Sequence, residues 1–103
     1  MDRLKRKEDF DRVFKKGNRA FSNNLTMIYL KSDSLKVGYT VSKKHGGSVE
    51  RNRIKRLLRA SFNNFKEKIN GNYYIVFMPK VCESYTYDGL LKSMDYILKK
   101  SGI

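Results

Sequence analysis

The run Tyr73-Tyr74-Ile75-Val76-Phe77-Met78, stopped by Pro79, constrains this chain more than any other segment. Six consecutive apolar or aromatic residues of strand length, bounded by turn signals, read as a strand covered on both faces. Pro79 closes the run because proline has no amide proton to give a central ladder. Such a strand needs one layer above it and another below. The remaining residues must therefore supply neighbouring strands and helices for two sides.

Those pieces are legible in the periodicities. Leu35 to Ser42 alternates, with Leu35, Val37, Tyr39 and Val41 on one side and Lys36, Gly38, Thr40 and Ser42 on the other. Leu25 to Lys31 reads as a second strand, and the short Ser32-Asp33-Ser34 reversal predicts that the two pair as an antiparallel hairpin. A brief extended piece is expected over Arg19 to Phe21. Lys7 to Lys16 has helical signals: Phe10, Val13 and Phe14 share a face, acids come early, and Lys15-Lys16 precede Gly17. A longer amphipathic helix is expected from Val49 to about Lys68 with Ser48 as its N-cap, and a last one from Tyr87 to Lys100. The middle helix is long enough to cross between parallel strands. This order makes a single α+β domain over residues 1–103, a sheet carrying helices.

Charge narrows the function. Lys and Arg number 23 against 10 acids, a formal net charge of +13, which argues for an acidic partner. The cations are also clustered: between Lys43 and Arg59 there are seven, with Glu50 as the single acid. On a helix, Ile54, Leu57, Leu58, Ser61 and Phe65 make one stripe, while Asn52, Lys55, Arg56 and Arg59 fall roughly opposite, flanked by Arg51 and Arg53. A solvated charged face normally mixes signs, so like charges at Arg51/Lys55 and Lys55/Arg59 cost a few tenths of a kcal/mol per pair. An anionic partner compensates for that repulsion, and clustering on one element is the footprint of a nucleic-acid binder.

Catalysis by the chain itself is hard to build. One His and one Cys cannot make a structural zinc site of about four ligands, and no carboxylate cluster offers to hold metal ions. Cys82 reads as a packing residue and His45 as a loop residue near phosphate, rather than as a nucleophile and its base. No run is long enough to cross a bilayer, and Met1 to Lys7 lacks the apolar region of a signal peptide, so a cytoplasmic location is expected.

The segments Val37-Gly38-Tyr39-Thr40-Val41-Ser42-Lys43-Lys44 and Val49-Glu50-Arg51-Asn52-Arg53-Ile54-Lys55-Arg56-Leu57-Leu58-Arg59 resemble the protein subunit of bacterial ribonuclease P. The resemblance extends upstream through Glu8-Asp9-Phe10 and Val13-Phe14-Lys15-Lys16-Gly17, and so spans nearly the whole chain. It implies a ribonucleoprotein endonuclease that removes the 5′ leader from precursor tRNA, with the catalytic site and Mg²⁺ carried by the RNA. No catalytic or metal-binding residue is then expected in the protein, and no protein partner or membrane is required. The implied fold is an αβββαβα sandwich of the ribosomal-protein-S5-domain-2-like type with a left-handed βαβ crossover. Periodicity alone would predict the right-handed connection found in about 98% of such units.

The resemblance also implies site residues. Lys43, Lys44, Arg51, Asn52, Arg53, Lys55, Arg56 and Arg59 are expected to bind the catalytic RNA. Phe10 and Phe14, which spacing alone would allow in a core, are expected to meet the single-stranded leader across a cleft from Thr26, Ile28, Lys36, Gly38 and Thr40. Gly38 would leave room for a nucleotide. The chain departs from the family pattern at His45, Gly47 and Ile28, the last replacing a frequent aromatic. Two other readings compete: a general RNA-binding or ribosomal-type module, and a DNA-binding domain reading a major groove. Strands on both sides of the basic helix disfavour the second.

Overall fold

The computed structural model describes residues 2–81 and 85–103, so the expectation for Cys82 lies outside the described residues. Along the chain come β1 (Asp2–Arg3), α1 (Lys7–Lys16), β2 (Asn18–Phe21), β3 (Leu25–Lys31), β4 (Lys36–Tyr39), α2 (Ser48–Phe62), β5 (Tyr73–Pro79) and α3 (Tyr87–Ser101). The sheet order is β1-β4-β5-β3-β2. Four strands carry it, and the two-residue β1 extends the β4 edge.

The apolar run is the central strand. β5 pairs antiparallel with β3, from Leu25↔Pro79 to Lys31↔Tyr73, and parallel with β4, from Lys36↔Tyr74 to Tyr39↔Phe77. Its alternate residues feed two cores. Ile75 and Phe77 join Met27, Val37, Ile54, Leu58, Phe62, Met94 and Ile97 beneath α2 and α3. Tyr74 and Val76 join Leu4, Val13 and Ile28 beneath α1.

The expected hairpin between β3 and β4 does not form, because β5 lies between them. Residues 32–35 arch over the start of β5 instead: Ser32 N donates to Asn72 O at 2.9 Å, and Asn72 Nδ2 donates to Asp33 O at 3.2 Å. Two inter-strand spacings amount to about 10 Å, which a four-residue link spans comfortably. A short turn thus fixed the directions of the strands but not their adjacency. The gain is that the most apolar strand takes the site with a neighbour on each edge.

The crossover β4–α2–β5 is left-handed, and the chirality of the residues shows it. Val37 turns its side chain to the α2/α3 face, while its carbonyl accepts from Leu4 N at 3.1 Å, next to β1. Seen from that face with β4 running upward, the backbone polar groups of an L residue whose side chain points at the viewer lie to the right. β1 is therefore on the right and β5 on the left, and the chain passes through α2 in front and returns to the left.

Helix α2 ends at Phe62, not near Lys68. Asn63 and Asn64 are poor helix formers, and Asn64 Nδ2 donates to the terminal carbonyls of Ala60 (3.3 Å) and Ser61 (3.1 Å). A separate 3₁₀ turn covers Lys66–Lys68. At its start Gly47, with no side-chain cap, stands where Ser48 was expected to be the N-cap.

Candidate nucleic-acid interface

On the α1 side of the sheet, Val13 is fully buried and draws the helix down, leaving Phe10 and Phe14 half-buried beside it. Their ring centroids lie 6.4 Å apart with planes 26° from parallel. The two rings thus pack and remain reachable from solvent. Gly38 faces Phe10 directly: a Cβ built there would stand 2.6 Å from Phe10 Cζ and 3.2 Å from Leu4 Cβ. The space expected to admit a nucleotide is filled by the protein's own phenylalanine.

The sheet wall is narrower than the sequence suggested. Thr26, Ile28, Lys36 and Gly38 do share the α1 face, as alternation requires, and Thr40 follows one residue beyond β4. Ile28, however, has no exposed surface, because it lies beneath α1 with Val13 and Val76. Thr26 is 6% exposed and Gly38 is buried. What solvent reaches is Lys36, Thr40, the two Phe rings and, unforeseen, half-buried Met78. Lys36 Nζ and the Arg12 guanidinium both stand over the Tyr74 ring, at 5.7 and 5.9 Å. Arg12 was also not foreseen.

The cations of α2 do not form one face. Ile54, Leu58 and Phe62 face the sheet, and Asn52, Arg53 and Arg56 point to solvent, following the exposed Lys43 and Lys44 of the preceding 3₁₀ turn. Arg51, Lys55 and Arg59 are half-buried. Lys55 and Arg59 turn toward the β4 edge, where with Arg3, Lys5, Phe10, Gly38 and Tyr39 they line a groove of about 220 Å³. Arg3 and Lys5 arrive there through the pairing of β1 with β4. A two-residue strand has no periodicity, so these cations carried no signal beyond their charge.

Electrostatics differ between the two sets. Arg53 donates to Glu50 Oε1 through Nη2 at 2.8 Å and Nε at 3.2 Å. That bond holds the Glu50 carboxyl below its ordinary range and the Arg53 guanidinium above its own. In the groove, Arg59 stacks over Tyr39 with its guanidinium carbon 5.7 Å from the ring centre. Burial pushes the Tyr39 phenol up to about 12, against the opposing pull of Arg59 and Arg3. Tyr39 therefore stays a hydrogen-bond donor amid cations.

His45 ends the 3₁₀ turn that precedes α2. Its Nδ1 lies 3.2 Å from both Ser42 Oγ and Ser42 O, and its ring packs 5.9 Å from Tyr85. Gly46 follows at φ 118°, a backbone conformation that side chains rarely adopt. Among the described residues, no three His, Cys, Asp or Glu side chains gather into a possible metal site, and no helix is long and apolar enough to cross a membrane.

Comparison with known proteins identifies relatives along the same length. The family profile for Ribonuclease P matches residues 1–102. A ribonuclease P protein component from Bacillus cereus is 34% identical over 105 aligned positions, covering 98% of this chain and 91% of the relative. The RNase P protein structure from Staphylococcus aureus superimposes with a TM-score of 0.86 at 28% identity, covering 98% of this chain and 95% of the other. That from Thermotoga maritima gives 0.84 at 25% identity, with 97% of each chain covered.

Proposed function

The chain belongs to the ribonuclease P protein family, and from that premise we propose how its surfaces divide the work of a ribonucleoprotein. As a ribonuclease P subunit it serves the endonucleolytic removal of the 5′ leader from precursor tRNA, in partnership with the ribonuclease P RNA. The outward set Lys43, Lys44, Asn52, Arg53 and Arg56 binds the catalytic RNA, where backbone phosphates replace the missing acids. Phe10 and Phe14, with Lys36 and Thr40, hold the leader as an extended single strand. Stacking on the rings takes the bases, and the lysine takes a phosphate. Lys55 and Arg59 stand at the passage from one surface to the other.

The carrying observation is the stacked, half-exposed pair Phe10/Phe14 on the opposite side of the sheet from α2. A general RNA-binding protein would need only the basic helix. The carboxylates of the described residues do not cluster, so in this reading magnesium is held by RNA phosphates and the chemical step is assigned to the RNA. What the protein adds is positioning of the scissile strand and relief of phosphate repulsion, in the cytoplasm.

The test uses holoenzyme assembled with saturating wild-type or Phe10→Ala/Phe14→Ala protein, and compares binding of precursor tRNA with that of mature tRNA. If each ring stacks one base, its loss costs about 1–3 kcal/mol, or roughly fivefold to more than a hundredfold in affinity, for the precursor alone. Equal weakening of both ligands, in a variant that still folds, would refute the leader role.

A further inference from the structure

We propose a second leader-binding platform, built by Phe21 and Tyr96 at the β2 edge, which takes up the 5′-distal part of a long leader. This rests on the proposed leader role of the α1 cleft and extends it. Phe21 follows Ala20, whose side chain lies in the α2/α3 core, so by strand alternation Phe21 leaves the sheet on the α1 face, paired in register with Thr26. It is therefore the next ring along that wall, and at 47% exposure it is far more open than a packing role needs. Lys80 Nζ stands 5.4 Å over its centre and donates to Ser22 O at 2.7 Å, which holds a cation beside the ring.

Beyond Phe21 the surface opens into a groove of about 520 Å³ shared with Lys92, Ser93 and Tyr96 of α3. Tyr96 is 54% exposed, with Lys100 Nζ 5.8 Å from its ring centre. The floor is fixed, because Ser93 Oγ bonds Asn24 Oδ1 and ties α3 to the β2–β3 turn. Among the described residues, none lining this groove is acidic. Two open aromatic rings, each with a lysine ammonium at its face, are the chemistry that receives unpaired bases and their phosphates. Continuity with the cleft along the register row Phe21–Thr26–Met78, in which Thr26 is covered but Phe21 and half-buried Met78 reach solvent, selects the leader as the occupant, rather than another segment of RNA.

The experiment assembles holoenzyme with wild-type, Phe21→Ala/Tyr96→Ala or Phe21→Tyr/Tyr96→Phe protein. Binding is measured for mature tRNA and for precursors with leaders of about five and about twenty nucleotides, near the lower limit and beyond the upper limit of what one small binding fold covers. The alanine pair should weaken only the long-leader precursor, by roughly fivefold to a hundredfold for each ring that stacks a base, and the aromatic exchange should preserve binding. No change, or equal weakening of all three ligands, overturns the platform. Wild-type protein supplies a readout independent of folding: 5-iodouridine in the distal leader should photocrosslink to Phe21 or Tyr96, and crosslinks confined elsewhere refute it. Phe10→Ala/Phe14→Ala run in parallel separates the two ideas. If that pair still weakens both precursors while Phe21 and Tyr96 have no effect, only the platform fails; if it has no effect, the cleft reading itself fails.

Discussion

Gly17→Ala asks what seats α1, and with it the two phenylalanines, on the sheet. Gly17 has φ −74° and ψ 157°, an extended conformation that alanine adopts without strain. Chain entropy alone would then make the substitution stabilising by about 0.4–1 kcal/mol. Space decides otherwise. A Cβ at Gly17 stands 2.5 Å from Val13 O, 2.7 Å from Ile28 Cγ2 and 3.1 Å from Tyr29 O. Two of these atoms are backbone oxygens and the third belongs to a fully buried side chain, so none can swing into solvent. Forcing a methyl group into a close-packed site costs about 1–3 kcal/mol; with such rigid neighbours the upper part applies, leaving a net loss of about 2 kcal/mol. At roughly 4–8 °C per kcal/mol for a domain of this size, the Tm should fall by about 8–16 °C. Gly47→Ala is the control, since nothing lies within 4 Å of a Cβ there, and it should stay within about 0.5 kcal/mol of wild type. Urea unfolding of both variants reads the difference directly. A Gly17→Ala midpoint equal to or above wild type would mean that close approach is not what seats the helix.

Three further outcomes follow from the divided cations and the buried phenol. Arg53→Ala/Arg56→Ala should lower affinity for the catalytic RNA and flatten its salt dependence by up to about two units of slope, whatever the substrate, whereas Lys55→Ala/Arg59→Ala should act more strongly when a leader is present; filter binding across a salt series with and without precursor tRNA distinguishes them. Glu50→Gln frees the Arg53 guanidinium and should steepen that salt slope by about one unit, and an unchanged slope would mean the pair does not compete with phosphate. Because the folded state holds the Tyr39 proton more tightly than the unfolded chain does, stability is lost as pH rises from about 10 through about 12. Tyr39→Phe should remove that component, so its urea midpoint should fall less steeply than wild type over the same interval, and parallel curves would count against burial of the phenol.

Much of this protein was legible before any tertiary contact was known. The central strand followed from an apolar run ended by Pro79, α1 from its Phe10/Val13/Phe14 face, β3 from its own residues, and the polyanion-binding character from seven cations with one acid. These features are local in the chain, and local backbone preference with burial periodicity suffices to determine them. Strand adjacency was different: the turn at Ser32-Asp33-Ser34 is as short as a hairpin's, yet β5 enters the gap because an apolar strand gains most from a neighbour on each side. Site membership was different as well. Alternation put Ile28 and Gly38 on the right face but could not say that α1 would seal one and Phe10 would fill the other. Spacing likewise grouped Lys55 and Arg59 with Arg56, while a two-residue strand brought Arg3 and Lys5 up to them at the β4 edge. Which residues carry charge or an aromatic ring was thus written in the sequence, but which of them stay open to solvent is set by what packs over them, and packing joins residues far apart in the chain.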